Sequence, residues 1–533
     1  MSENKNQAFM KGALILIIAN ALVKVIGAVF KIPLTYVLGE EGMGLFSSSY
    51  NMYAWMFVVA TAGFPVAISR MVSESRAKGN HTEVKRILRG SLILMTVIGI
   101  VGTAVLYFGA GPFSDIMKNP DAKFGIASVA PALFFVSIMS VFRGYFQGKQ
   151  DMMPTALSEV IEALGKLVAG FALAWMLLPQ GLPYASAGAV SGVTVGAFLG
   201  ALLLVIVYLF KRNKDNNLNT IADFGPQRST GRIVFDLAKI AIPITIGASV
   251  FSLTSVIDMI MIMRRLQMSA GFSYDQAQAL WGSYSGYATP LFNMPPTLIT
   301  AISISIVPAI TAAVAKGDMP FARKTASTAV RITTLFALPC AIGMSTLAGP
   351  ILMLVYHTKF AERSLMLLAI AIVFVSLVMV TNAMLQAVGK ENIPVRNMII
   401  GGIIKIVVNY TLVGMPEINI NGAPIGSNLC YIVILTLNIF SIKKVIGVKF
   451  GIVQSVVKPV LSVAVMAVTA LAVYNYTAFL GNTFATVISI GVAAVMYLTM
   501  LFILGAITRD DVEMLPKSEK FIPVMEKLKL IRR

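Results

Sequence analysis

The 533-residue sequence contains few charged residues, and few of those are acidic. Asp, Glu, Lys and Arg make up 13% of it, with 24 acidic against 43 basic residues, while 57% of the chain is hydrophobic. Soluble globular domains are about 25% charged. The composition therefore excludes an ordinary soluble domain and predicts an all-α polytopic membrane protein. A β-barrel is excluded because the apolar runs are continuous rather than alternating.

Cysteine and histidine are scarce, with two residues of each. Cys340 and Cys430 lie in apolar runs and are predicted to be small core residues, without a disulfide framework or zinc spacing. His81 and His357 are far apart, so no metal site is expected. The sequence also lacks a phosphate-binding lysine loop and a nucleophile–base arrangement. We therefore expect a protein that is not an enzyme and has no cofactor.

Runs of about 20 apolar residues predict about fourteen transmembrane helices. The predicted spans are 9–35, 44–69, 87–110, 124–147, 155–178, 184–210, 234–263, 279–314, 325–347, 364–388, 394–413, 424–442, 455–476 and 482–506. The run 279–314 contains four prolines and is predicted to be kinked or broken. The N-terminus has no cleavage site after a short apolar core, so it is not a cleavable signal peptide.

The basic residues are distributed unequally between the two predicted sides of the membrane. With a cytoplasmic N-terminus, the inner loops and tail carry 30 of the 43 Lys and Arg, and the outer loops carry 6. This asymmetry predicts that both termini are cytoplasmic. It also explains the net charge of +19 without nucleic acid as a partner. The tail 507–533 is interpreted either as an amphipathic helix on the inner leaflet or as a solvated topology signal.

Residues 134–168 and 373–407 form an internal repeat at an offset of 239 to 240 residues. Both copies contain FVS, then a glutamine, a lysine-containing turn, a proline and a lysine on the next helix. The paired positions are Gln147 and Gln386, Pro154 and Pro394, and Lys166 and Lys405. An even number of helices in each copy predicts a parallel repeat about an axis along the membrane normal.

The repeat predicts two six-helix lobes around a central cavity, an architecture suited to alternating access. The first lobe is expected at 1–210 and the second at 233–443, joined by a cytoplasmic linker at 211–232. Two extra helices follow at 444–506, and a cytoplasmic amphipathic tail at 507–533.

The first predicted span carries three polar side chains on one face. Asn20, Lys24 and Lys31 follow helical spacing with Gly27 between the lysines, and the set extends about 16 Å along the axis. A lysine at the centre of a span costs about 2.5–3.5 kcal/mol. Lys24 is interpreted as a cation facing a cavity, the alternative being a structural ion pair. Lys31 either contacts the substrate or snorkels to the outer surface.

The fifth and eleventh spans carry charges at corresponding positions. Glu162 and Lys166 have the spacing of a structural ion pair, and with Glu159 they are alternatively a substrate or proton site. Lys405 and Asn409 lie one turn apart on the eleventh span. All five are candidate residues for binding the substrate or a coupling ion.

Further candidates lie on the seventh and second spans. Asp258 either pairs with a cation of the first span or binds Na⁺ or a proton. Arg264 and Arg265 are interpreted as interfacial anchors or substrate ligands. Asn51, in the polar stretch SSSYNMY at 47–53, is placed to bond a polar substrate or a neighbouring helix.

Several embedded cations in the absence of an ATPase module predict transport of an anionic substrate, with phosphates or a pyrophosphate compensating the basic residues. The segments GAVFKIPLTYVLGEEGMGLFSSSYNMY (27–53), GFPVAISRMVSE (63–74) and RGYFQGKQDMMPTALSEVIE (143–162) resemble the Gram-positive MurJ and stage V sporulation protein B group. This group belongs to the MurJ/MviN branch of the multidrug/oligosaccharidyl-lipid/polysaccharide exporter superfamily.

The resemblance implies a flippase that moves lipid II, the undecaprenyl-pyrophosphate-linked peptidoglycan precursor, from the inner to the outer leaflet. It implies a cationic cavity for the headgroup and a groove at the two extra helices for the lipid tail. Lys24 matches the first residue of the family's basic pair on the first helix, and Lys31 lies beside the second position. In some relatives an acid on the seventh helix binds Na⁺, and Asp258 is the residue in that span here.

Two alternative functions stay open: a flippase for another polyprenyl-linked oligosaccharide, and a cation-coupled drug antiporter. The energy source also stays open between Na⁺, H⁺ and the membrane potential. We expect a monomer in the bacterial plasma membrane, with lipid-linked oligosaccharide and membrane lipids as partners.

Overall fold

The computed structural model describes residues 2–216, 228–448, 451 and 453–506. Within these ranges the regular structure is helical, and no strand occurs. The α-helices in chain order are α1 Ser2–Thr61, α2 Phe64–Ala77, α3 His81–Ile116, α4 Ala122–Val129, α5 Ala132–Gly148, α6 Met153–Leu177, α7 Leu182–Asn216, α8 Thr230–Met268, α9 Tyr274–Gly282, α10 Thr289–Ala315, α11 Met319–Thr346, α12 Ala348–Tyr356, α13 Glu362–Ala387, α14 Asn392–Leu412, α15 Gly422–Val445, α16 Lys458–Thr477 and α17 Asn482–Ile503.

Eleven segments of the described chain are long and apolar enough to span a membrane. This confirms the prediction of an all-α polytopic membrane protein, while the count of fourteen spans stays a prediction. One of the eleven segments, Ile18–Ala77, runs from α1 into α2, and α1 is kinked at Gly39, between the first two predicted spans. Gly39 has φ 61°, a left-handed conformation that glycine adopts without a Cβ penalty. A second predicted discontinuity lies at Ser283–Ala288, where a π-helical segment precedes the proline-rich α10.

The described helices belong to two compact units. Unit 1 comprises Met1–Gln267 and Ser273–Gly282, and unit 2 comprises Met268–Phe272 and Ser283–Arg533. Unit 1 thus includes α8, which the sequence prediction assigned to the second lobe. Part of the predicted linker, at 217–227, and the predicted tail at 507–533 lie outside the described residues.

A cluster of ion pairs attaches the start of α8 to α3 within unit 1. Arg228 donates to the Glu83 carboxylate at 2.5 Å and to Asp236 at 3.3 Å. The hydrogen bond to Glu83 is the main reason that the pKa of Arg228 is raised, opposed by its partial burial. These bonds hold α8 against unit 1 at its first turn.

The internal repeat is visible in the helix bounds. From Gly148 to Ala387, the ends of α5 and α13, is 239 residues, and from Met153 to Asn392, the starts of α6 and α14, is also 239 residues. Each unit therefore contains one copy of the same helical hairpin.

Close packing of α6 and α7 fixes the position of the charged helix α6. Glycines at every fourth position of α7 face α6: Gly188, Gly192, Gly196 and Gly200. A Cβ at Gly196 would collide with the backbone oxygen of Glu162, so only glycine permits this approach. Such small-residue stripes are a common way to pack membrane helices.

Candidate substrate-binding site

The first half of α1 has one buried and one exposed face. Ile26 and Phe30 are buried, whereas Asn20 and Lys24 are exposed. The Asn20 side-chain amide donates to the carbonyl of Leu16 at 3.0 Å, so it is satisfied within its own helix. Among the described residues Lys24 has no hydrogen-bond or ion-pair partner, so the structure provides no protein group that compensates its charge.

Lys31 and Lys166 come together in unit 1, although 135 residues separate them in the sequence. The Lys166 ammonium lies 4.5 Å from the ring centre of Tyr50 and 5.4 Å from that of Phe30. Lys31 is half-buried, adjoins Phe30 in the chain and is electrostatically repelled by Lys166. We call Phe30, Lys31, Tyr50 and Lys166 the cationic cluster.

Cation–π contacts stabilise the Lys166 side chain, by about 0.5–1 kcal/mol at an exposed site and about 2 kcal/mol when desolvated. The Tyr50 ring is in turn stacked against Phe46, with ring centres 5.9 Å apart and an interplanar angle of 7°. Aromatic faces attract a cation without neutralising it. Lys166, held in this way, therefore keeps its positive charge on a membrane-spanning helix, and Lys31 adds a second one.

Arg143 forms an ion pair with Glu162, the residue that the sequence suggested as the partner of Lys166. Arg143 Nη2 lies 2.8 Å from Glu162 Oε2, and Arg143 Nε donates to Ser158 Oγ at 2.9 Å. The two side chains are 15% and 23% exposed. The predicted pairing of Glu162 with Lys166 is therefore wrong in its partner, and Lys166 contacts aromatic rings instead.

The sequence did not single out Arg143, because it was counted among the 30 basic residues of the inner loops and tail. The structure places it within α5, which continues to Gly148. The available signal was its position about one turn before the end of the predicted span 124–147. Tyr50 and Ser158 were also missed as contacts of charged side chains.

The other predicted site residues have separate positions. Asn51 is half-buried on α1. On α8, Asp258 is buried and Arg265 is half-buried. Lys405 and Asn409 lie on α14 in unit 2, where the Asn409 carboxamide packs against Gly426 of α15. Of the predicted site residues, Lys31 and Lys166 belong to the cationic cluster, and Glu159 and Glu162 lie on the same helix as Lys166.

The fold and the embedded charges define a class, the polytopic α-helical membrane proteins that carry charged side chains within their spans. The profile of the family described as polysaccharide biosynthesis protein matches residues 9–314, and the MatE profile matches residues 284–411. Because the first match covers more than half of the chain, the protein belongs to the polysaccharide biosynthesis protein family.

Two curated relatives from Bacillus subtilis (strain 168) cover most of the chain. Lipid II flippase MurJ is 27% identical over 87% of this chain and 87% of its own length. Stage V sporulation protein B is 26% identical over 96% of this chain and 98% of its own length. Both names agree with the resemblance seen in the sequence.

Solved structures confirm the fold. A structure of lipid II flippase MurJ in an inward closed conformation has a TM-score of 0.70 and 14% identity, covering 92% of this chain and 98% of that chain. An inward-facing multidrug resistance MATE family transporter has a TM-score of 0.67 and 16% identity, covering 80% and 94%. At these identities the likeness establishes the fold alone.

Proposed function

We propose that this protein is a flippase that moves lipid II from the inner to the outer leaflet of the bacterial plasma membrane. The observation that carries this proposal is the cationic cluster of unit 1. Lys31 and Lys166 have no acidic partner among the residues that the structure describes, and each lies on a membrane-spanning helix.

A pyrophosphate group is the ligand that this pair of lysines fits best. Each embedded lysine costs about 2.5–3.5 kcal/mol if it stays uncompensated. A group with two adjacent negative phosphates compensates both ammonium groups at once, through short charge-assisted hydrogen bonds. A single carboxylate or a cationic drug would not compensate both ammonium groups.

Unit 2 contains a cavity that is suited to the lipid part of such a substrate. The cavity has a volume of about 520 Å³ and is lined almost wholly by apolar atoms of α10, α11, α16 and α17. Its walls include Phe336, Met466 and Tyr497. The resemblance places the lipid-tail groove at the two extra helices, and α16 and α17 occupy that part of the sequence.

The relatives support a lipid-linked substrate without identifying its headgroup. One of them is named for lipid II flipping, whereas the matching family is described by polysaccharide biosynthesis. Transport of another polyprenyl-pyrophosphate-linked oligosaccharide is therefore the second candidate. It needs the same cationic cluster and differs in the contacts to the sugars and the peptide of the headgroup.

Reconstitution tests the proposal. The purified full chain is placed in lipid vesicles with fluorescent lipid II on one leaflet, and exposure on the other leaflet is measured. We expect transport of lipid II in preference to a polyprenyl-pyrophosphate oligosaccharide that lacks the peptide. Equal transport of both would favour the second candidate. No transport of either, with a folded protein, would contradict a flippase function.

Cells provide a second measurement. Depletion of the protein in cells without a redundant flippase is expected to reduce lipid II on the outer leaflet. Unchanged exposure would contradict the lipid II assignment. Reporter fusions at each terminus test the proposed cytoplasmic location of both ends, and cross-linking in the membrane tests the proposed monomer.

A further inference from the structure

Beside the cationic cluster, unit 1 holds ionisable and hydroxyl side chains that the proposed phosphate contacts do not use. They come from α1, α5 and α6, and we call them the carboxyl cluster: Tyr53, Arg143, Ser158, Glu159 and Glu162. The Arg143 guanidinium is committed to Glu162 and Ser158, at 2.8 and 2.9 Å. One arginine thus compensates one of the two carboxyl groups on α6.

The second carboxyl group, Glu159, is left without a comparable partner. Its Oε2 atom is buried and has no hydrogen-bond partner among the described residues. Arg143 attracts a negative charge at Glu159 and Glu162 repels it. An ionised carboxylate accepts hydrogen bonds on both oxygens, whereas a neutral carboxylic acid has less to lose by burial.

Tyr53 supplies an independent indication that a small polar ligand belongs in this cluster. Its side chain is 3% exposed, and its hydroxyl has no hydrogen-bond partner in the described part of the chain. The hydroxyl is electrostatically coupled to Glu162 and Arg143. A buried hydroxyl without a partner costs about 1–3 kcal/mol, so its retention beside a carboxyl pair calls for a functional explanation.

We propose that Glu159 is a proton-binding site that is linked to binding of the pyrophosphate headgroup. The proton adds to Glu159 Oε2 and converts the carboxylate into a neutral carboxylic acid; its release restores the carboxylate. The link to the headgroup rests on the proposed function. The proton site itself rests only on the carboxyl cluster.

A proton fits this cluster better than a metal ion. No group of three or more His, Cys, Asp or Glu side chains that would hold a metal occurs in the described residues. Chains of acidic side chains within membrane spans are typical of proton relays. The charged groups that interact with Glu159 are Arg143 of α5 and Glu162 of α6, and Tyr53 of α1 adjoins both. On the neighbouring helix α7, the titratable side chains between 182 and 210 are Tyr184 and Tyr208.

Proton binding at Glu159 and anion binding at the two lysines are linked through their charges. Protonation removes one negative charge from a region that also holds Lys31 and Lys166, so it increases the net positive charge available to an anion. By reciprocity, binding of the anion favours binding of the proton. Pyrophosphate affinity therefore decreases as the pH rises through the range in which Glu159 loses its proton.

Infrared spectroscopy of the full chain in lipid nanodiscs tests the proton site without substrate. We expect a carboxylic acid band that disappears on alkaline titration and is missing in Glu159→Gln. Glu159→Asp retains such a band, and Glu41→Gln, an exposed acid on α1, leaves the wild-type band unchanged. An identical band in wild type and Glu159→Gln would overturn the proposal.

Binding of farnesyl pyrophosphate over a pH series tests the linkage. Affinity is expressed as the ratio of wild type to Glu159→Gln, because titration of the probe itself affects both proteins equally. This ratio should fall by up to about tenfold per pH unit, the slope of one linked proton. Glu41→Gln should follow wild type. Equal pH slopes in wild type and Glu159→Gln, or a wild-type slope that disappears when the pH series is repeated in saturating Na⁺, would overturn the linkage. No pyrophosphate binding in any variant, with the infrared band present, would contradict the proposed function and leave the proton site standing.

Discussion

The two copies of the repeated hairpin have the same helix bounds and different chemistry. At an offset of 239 residues, Arg143 and Ser158 of α5–α6 correspond to Asn382 and Asn397 of α13–α14. In unit 1 this place holds the ion pair with Glu162. In unit 2 it holds two neutral amides, each of which bonds to Asn438 of α15.

We call Thr381, Asn382, Asn397 and Asn438 the asparagine network. Asn397 donates to Asn438 Oδ1 at 2.9 Å, and Asn438 donates to Thr381 Oγ1 at 3.0 Å and to Asn382 Oδ1 at 2.7 Å. Asn397 and Asn438 are fully buried. Neutral hydrogen bonds between membrane helices contribute about 0.6 kcal/mol each on average.

The comparison indicates which copy carries the chemistry. Arg396 also donates to Asn397 Oδ1 at 3.4 Å, but the asparagine network contains no ion pair. The ion pair of unit 1 is therefore not required by the hairpin as such. Embedded charges are more expensive than amides. We infer that unit 1 retains them for function, whereas the corresponding residues of unit 2 serve packing.

The largest difference is expected for stability. Arg143→Ala leaves Glu162 without its partner and should lower the free energy of unfolding by about 3 kcal/mol. This is the lower limit for breaking a buried ion pair, and it applies because both side chains are partly exposed. Asn382→Ala should cost about 1 kcal/mol. Thermal unfolding of both variants in detergent with added lipid measures the difference. Equal destabilisation would mean that the two hairpins have equivalent roles.

A second difference is expected for transport. Lys166→Ala removes a charge-assisted contact worth about 1.5–3 kcal/mol, so flipping should slow roughly 10- to 100-fold with little change in unfolding temperature. Lys405→Ala, at the corresponding position of unit 2, should have a smaller effect. A larger effect of Lys405→Ala would shift the phosphate contact to unit 2.

The sequence predicted the repeat, the two hairpins and the candidate Lys166, because periodicity and an aligned lysine are local features. It did not predict the partner of Glu162, because that partner comes from another helix. Spacing along α6 favoured Lys166, four residues away, whereas packing of α5 against α6 brought Arg143 within 2.8 Å. The predicted break between the spans 9–35 and 44–69 falls at Gly39, but the sequence did not identify this residue, because a single left-handed glycine has no hydrophobic signature.

The exposed lysine of α1 provides a third test. Lys24 has no partner in the described ranges, so Lys24→Ala should leave the unfolding temperature unchanged. If Lys24 contacts phosphate, the same change should reduce transport by about tenfold, corresponding to about 1.4 kcal/mol, and Lys24→Arg should retain most of it. Complementation of a flippase-depleted strain and vesicle transport both measure this. Full function of Lys24→Ala would remove Lys24 from the site.

The smallest expected effect compares Ser158 with Asn397, its counterpart in the repeat. Asn397→Ala removes a donor to Asn438 and should cost about 1 kcal/mol of stability with unchanged transport. Ser158→Ala removes an acceptor that orients Arg143 at 2.9 Å, so its effect should fall on transport and its pH dependence as well as on stability. Unfolding and flipping are measured on the same preparations, with Thr499→Ala on the exposed face of α17 as the control. If Asn397→Ala alters transport as much as Ser158→Ala does, the asparagine network is part of the transport site, and the functional asymmetry of the two hairpins is contradicted.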